Sequence, residues 1–147
     1  LDTQGVELGL VWRWKDFKYF FGYTHANVKE HMAFSERTSP LMPKNRVNNV
    51  FVYERENDLR IGLEAYYYGD QKLNDGTMGK DFWIYGLMME KIFTEDLSLF
   101  LNFENFSDTR QTRFGSIYKG SELNPIFSDI YAPLDGFVIN GGIKLKL

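Results

Sequence analysis

The sequence predicts an all-β chain: an antiparallel up-and-down transmembrane β-barrel segment of about seven strands. Three observations carry that expectation. Apolar and polar residues alternate with a period of two through most of the chain. The connections between these stretches run short, long, short, long, short, long. Aromatic residues gather near the strand ends. The last stretch shows the alternation best: Phe137, Ile139, Ile143, Leu145 and Leu147 share one parity with Gly141, against Asn140, Gly142, Lys144 and Lys146.

The first strand is expected over about 5–14, with Val6, Leu8, Leu10, Trp12 and Trp14 on one face and Glu7, Gly9 and Arg13 on the other. Lys15-Asp16 is a tight turn into a second strand over about 17–26, where Phe17, Tyr19, Phe21 and Tyr23 oppose Lys18, Gly22 and Thr24. A long polar loop, 27–45, follows, with Pro40 and Pro43 marking irregular structure. The third strand spans about 46–55, Glu56-Asn57-Asp58 turns the chain, and the fourth spans about 59–68. There Leu59, Ile61, Leu63, Ala65 and Tyr67 alternate with Arg60, Gly62, Glu64 and Tyr66. Residues 69–79 form a Gly/Asp/Asn-rich loop before a fifth strand at about 80–90. Thr94-Glu95-Asp96 contributes to the next turn, and the sixth strand, about 96–104, alternates Leu97, Leu99, Leu101 and Phe103 with Ser98, Asn102 and Glu104. A long loop, 105–136, precedes the seventh strand.

Two girdles are expected from the aromatics: Trp12, Trp14, Phe17, Tyr19 and Tyr53 at the short-turn end, and Tyr66, Tyr67, Tyr68, Phe82 and Trp83 at the long-loop end. The alternative is a soluble β-sandwich, a ligand- or carbohydrate-binding module whose aromatics fill a core between two sheets. Aromatics at strand centres favour the sandwich and aromatics at strand ends favour the barrel.

Composition narrows the classes. Hydrophobic residues make up 44% of the chain and aromatics 17%. Mean hydropathy is nevertheless −0.36, as expected when lumen-facing residues dilute lipid-facing ones. No apolar run reaches the roughly 20 residues of a membrane helix. A net charge of −3 gives no reason to expect a nucleic-acid partner, and the absence of cysteine excludes disulfides and thiolate metal sites. The start, Leu1 to Val6, lacks a basic region followed by an apolar one and is not a signal peptide; a mature form or a fragment is expected.

No enzyme is expected. The carboxylates show no general acid–base pair, no nucleophile elbow surrounds any Ser, and Gly141-Gly142 lies within a strand instead of leading into a helix. His25 and His31 are not joined by other ligands, so neither a metal nor a cofactor is expected. The ligand-facing candidates are His31 and Arg37 in the first long loop, Tyr66 and Tyr68, which share the parity of Glu64 and so face the lumen, and Arg110 and Arg113 in the last long loop.

Three segments together resemble the C-terminal barrel portion of TonB-dependent outer-membrane receptors, especially of the Bacteroidetes type. They are Ser39-Pro40-Leu41-Met42-Pro43-Lys44-Asn45-Arg46-Val47-Asn48, Phe103-Glu104-Asn105-Phe106-Ser107-Asp108-Thr109-Arg110-Gln111, and Ile130-Tyr131-Ala132-Pro133-Leu134-Asp135-Gly136 before the last strand. The family's final residue is usually aromatic, whereas here it is Leu147, at the position of the assembly signal. The resemblance implies a 22-stranded barrel of which residues 1–147 form the C-terminal part, without the plug domain and N-terminal strands. It also implies a bacterial outer-membrane location, with the lipid bilayer, the remaining strands and plug, and TonB acting through that plug as partners. The small-molecule nutrient is expected to be scarce: a ferric siderophore, haem, cobalamin or an oligosaccharide. Short turns would face the periplasm, and the loops 27–45, 69–79 and 105–136 the exterior.

Overall fold

The computed structural model describes residues 1–32 and 35–146. Its strands are β1 (Asp2–Trp14), β2 (Phe17–Met32), β3 (Ser35–Thr38), β4 (Asn45–Arg55), β5 (Leu59–Tyr68), β6 (Phe82–Thr94), β7 (Leu97–Glu104), β8 (Tyr118–Ser121), β9 (Asn124–Phe127) and β10 (Val138–Leu145). One 3-10 turn, Gln111–Arg113, is the helical element among the described residues. The large sheet is an antiparallel meander in the order β1-β2-β4-β5-β6-β7-β10, with β3 added to the far end of β2. β1 and β10 lie at opposite ends of this order, so the sheet is open among the described residues.

These seven long strands coincide with the seven expected from alternation, and three hairpins close where turn residues were expected. Lys15 and Asn57 adopt left-handed φ values of 52° and 54°, and Trp14↔Phe17 and Thr94↔Leu97 flank two-residue connections. Several boundaries need correction. The 27–45 segment is not wholly irregular: β2 runs on to residue 32 and pairs with β3 through Lys29↔Thr38 and Glu30↔Arg37. The fifth long strand begins at 82 and continues to 94, with a register shift between Ile92 and Thr94. The 105–136 segment contains the β8–β9 hairpin. Four-residue strands such as β3, β8 and β9 are too short to carry a period-two apolar signal, so pattern reading misses them. The last strand ends at Leu145, and Leu147 lies outside the described residues.

Register aligns the alternation of every strand into two faces. Leu8↔Tyr23, Leu10↔Phe21, Phe51↔Leu63, Leu63↔Leu87, Met89↔Leu101 and Leu99↔Ile143 put one apolar set together. Among the described residues no second sheet covers this face: Leu10, Leu63, Leu99 and Ile143 are 53%, 45%, 47% and 69% exposed. Among the described residues the buried apolar side chains are Val28, Phe82 and Ala132 and there is no inter-sheet core, so the β-sandwich alternative is set aside. From Val6 to Trp14 the face extends eight strand steps, about 26 Å. With the usual barrel tilt this approaches the ~25 Å apolar band of an outer-membrane wall.

The short-turn aromatics form a continuous patch: Trp12–Trp14, Trp14–Phe17 and Phe17–Tyr53 centroids lie 6.3, 6.1 and 5.1 Å apart. The opposite girdle is smaller than expected. Tyr67 and Trp83 stand on the apolar face, 5.1 Å apart, but Tyr66, Tyr68 and Phe82 pair with Asn48, Arg46 and Tyr68 and occupy the other face. A run of adjacent aromatics cannot share one side of a strand. Polar groups that do stand on the apolar face are satisfied locally: Tyr19 donates to Asn49 Oδ1 at 2.6 Å and Tyr23 to Asn45 Oδ1 at 2.9 Å.

Candidate functional site

The opposite face is polar and is organised by charge near its short-turn edge. Lys18 Nζ meets Glu54 Oε2 at 2.6 Å, Arg60 Nη2 meets Glu54 Oε1 at 2.6 Å, and Arg60 Nη1 reaches Glu90 Oε2 at 3.3 Å. Glu90, whose side chain is 9% exposed, also accepts from Lys144 Nζ at 2.7 Å and Ser98 Oγ at 3.0 Å. This row of alternating sign runs from β2 to β10, through every long strand of the sheet but β1. Alternation places each group on this face, and antiparallel register brings opposite charges alongside one another.

Near the long-loop edge the same face holds a recess of about 470 Å³ lined by Thr24, Arg46, Tyr68, Gln71, Phe82 and Tyr131, among others. The Arg46 guanidinium carbon lies 5.0 Å from the Tyr68 ring centre, and no carboxylate pairs with it among the described residues. Tyr68, Phe82, Phe114 and Tyr131 make a chain of rings with successive centroid separations of 5.1, 6.0 and 6.1 Å. Tyr131 is also a wall of a second recess, about 530 Å³, between the 69–81 and 105–137 segments; Met78, Lys80, Lys119 and Phe127 contribute to it. Together the two recesses offer cationic groups beside aromatic surface, an arrangement suited to holding an anionic or planar small molecule.

The six sequence-expected residues do not converge. Tyr68 lines the inner recess, and Tyr66 stands on the same face one register pair away. His31 Nε2 is 2.7 Å from Asp2 Oδ2, and Arg37 Nε donates to Glu30 Oε2 at 2.9 Å, both on the β1–β2–β3 extension. Arg110 donates to Asp108 Oδ2 at 2.8 Å, and Arg113 joins the same carboxylate. Asp108 Oδ1 further accepts the Phe137 N–H at 3.2 Å. Partial desolvation works to raise the Asp108 carboxyl, but this N–H and the two guanidinium groups outweigh it and leave the group below its ordinary value.

Pattern reading missed Arg46, Asn105, Gln111, Asp129 and Tyr131. Asn105, with φ 47°, donates to Thr109 O at 2.8 Å and accepts its N–H at 3.0 Å, closing the turn that follows β7. Asp129 receives Asn74 N at 2.6 Å and Asn74 Nδ2 at 2.9 Å, linking two segments far apart in sequence. Asn105 and Gln111 belong to a motif already visible in the sequence; that they serve backbone groups is visible only in three dimensions. No group of three His, Asp or Glu side chains able to hold a metal occurs among the described residues.

No protein-family model matches the chain, and no curated protein sequence matches it. Solved structures do. The open form of the ferric-catecholate import receptor Fiu from E. coli K12 is similar over 97% of this chain and 20% of that one, with TM-score 0.64 and 15% identity. The FpvAI–pyocin S2 complex is similar over 97% of this chain and 20% of that one, with TM-score 0.63 and 18% identity. The chain thus spans about a fifth of the length of the structures it matches. Its all-β antiparallel fold is similar to part of the barrel of TonB-dependent receptors.

Proposed function

We propose that this chain supplies wall strands and outer loops of a bacterial outer-membrane receptor that takes up a scarce nutrient with energy delivered through TonB. The observation that carries the reading is a single meandering sheet with an uncovered apolar face on one side and a charged, recessed face on the other. Lipid would cover the first face. The second would look into the lumen, where the C-terminal-portion reading places a plug domain and the strands that complete the barrel. Closure by those strands would pair the free edges of β1 and β10, as hydrocarbon requires of every backbone group.

The ligand-facing role falls to the inner recess, with Tyr68 and Arg46 at its centre and Tyr66 below. His31, Arg37, Arg110 and Arg113 lie outside both recesses, and their present ion pairs would compete with any ligand. A ferric catecholate is the first ligand to test, since one structural neighbour is named for importing it; haem, cobalamin and oligosaccharides remain in the same proposal. The test is uptake of each radiolabelled nutrient by cells carrying the intact gene, with and without TonB. TonB-dependent uptake of one nutrient, lowered by R46A, supports the reading. Recovery of the protein in the soluble fraction, or absence of TonB-dependent uptake of all four, rejects it.

A further inference from the structure

We propose that Gln111 is the positioning residue of the outer loops: its carboxamide stands in for a peptide unit and sets Tyr131 as the shared wall of both recesses. Gln111 is 3% exposed. Its backbone N–H donates to Pro133 O at 2.7 Å. Its Oε1 accepts the N–H groups of Tyr131 and Ala132 at 3.2 and 3.1 Å, and its Nε2 donates to Asp129 O at 3.4 Å. One residue therefore satisfies the returning arm of the loop as a neighbouring strand would, where no strand is present.

The consequence reaches the other loop. The Tyr131 hydroxyl accepts the Lys80 N–H at 3.1 Å, and its carbonyl accepts Gln71 Nε2 at 3.2 Å. A Cβ at Gly79 would lie 3.0 Å from the Tyr131 ring, so the ring is seated directly on that backbone. The buried amide of residue 111 thus holds residues 71–80 through Tyr131, with no hydrogen bond of its own to them among the described residues. A glutamine that only filled space would influence its own loop and stop there.

The bearing on ligand capture rests on the receptor reading; the positioning role does not, and hydrogen exchange on the intact membrane-inserted protein separates the two. Q111L leaves the Tyr131 and Ala132 N–H groups buried without acceptors. Amide protection should fall about tenfold or more at 131–132 and also at residues 79–80. Q111E gives a pH signature. As a carboxylate it still accepts the Tyr131 and Ala132 N–H groups but opposes the Asp129 carbonyl; as a carboxylic acid it regains the donor to that carbonyl. Burial raises the carboxyl pKa, so protection at 79–80 should be low at neutral pH and recover as pH falls to about 5. Recovery within one variant excludes misfolding as the cause. Loss confined to 111–133 in Q111L, or a Q111E profile flat in pH, overturns the proposal. If no nutrient is taken up by the wild type while Q111L still frees 79–80, the receptor reading fails and the positioning role stands.

Discussion

A few residues decide whether the long connecting segments have a defined shape, and two of them give direct tests. A Cβ added to Gly136 would lie 1.9 Å from Asp108 Oδ1, and that oxygen is not free to leave, since Arg110, Arg113 and the Phe137 N–H hold the carboxylate. G136A is therefore expected to displace it and cost about 1–3 kcal/mol. Exchange at the Phe137 amide checks this: unchanged protection would show that the site relaxes without loss. The Asp108 carboxyl, held below its ordinary value, also predicts a pH response. A depressed carboxyl contributes stability above the unfolded value and loses it as pH falls through the folded one. Phe137 protection should thus persist at neutral pH and fall only below about pH 4. D108N should abolish that acid dependence; an identical profile in the variant would remove Asp108 as its source.

At the scale of the element, each long strand has a polar and an apolar side, and the two tolerate opposite changes. Leu63 and Ile143 lie on the uncovered apolar face, 45% and 69% exposed. Arg at such a position near the bilayer midplane is expected to cost about 2–4 kcal/mol. Single-cysteine labelling with a water-soluble reagent gives the complementary measurement: Asn102 and Lys144 should label, and Leu101 and Ile143 should not. The reverse pattern would exchange the two faces. On the polar side, Glu90 is nearly buried and serves Arg60, Lys144 and Ser98, whereas the Glu54 side chain is 29% exposed. E90A should therefore destabilise by about 1–3 kcal/mol, chiefly because it leaves the buried Ser98 hydroxyl without its acceptor. E54A should cost less than about 1 kcal/mol. Unfolding midpoints of the two variants in lipid vesicles compare them directly, and equal losses would mean that burial does not govern the row.

At the scale of the whole molecule, the open sheet sets how the chain behaves alone. β1 is exposed along its whole length and β10 almost so, and neither outer edge has a partner among the described residues. Closing these seven long strands on themselves would crowd Phe20, Tyr66 and Tyr68 into a lumen narrower than the eight-stranded case, which side chains already fill. Expressed alone, residues 1–147 should aggregate or pair edge to edge. A monodisperse, heat-stable monomer in detergent-free buffer would contradict this and the membrane assignment with it. Topology has its own test: tags in 69–79 or 105–136 should be reachable on intact cells, and exposure of a tag at Asn57 instead would invert the orientation.

The alternation of Val6 to Trp14, Leu59 to Tyr67 and Leu97 to Phe103 was enough to find the long strands, because a strand's side-chain period is a local property of its backbone. The turns at Lys15-Asp16 and Glu56-Asn57-Asp58 were equally legible, since few residues separate the patterns they join. What alternation could not decide was which apolar face is covered by protein. That required seeing, among the described residues, that the apolar face of the large sheet stays exposed, which only the assembled structure shows. Nor could it find β3, β8 and β9, whose pairing depends on backbone hydrogen bonds that any polar side chain permits. Arg110 and Arg113 read as ligand-facing loop residues until folding set both on Asp108, and Gln111 read as one polar residue in a motif. Their roles depend on residues 129–137 returning across the loop, and contacts between distant segments leave no periodic trace in the chain.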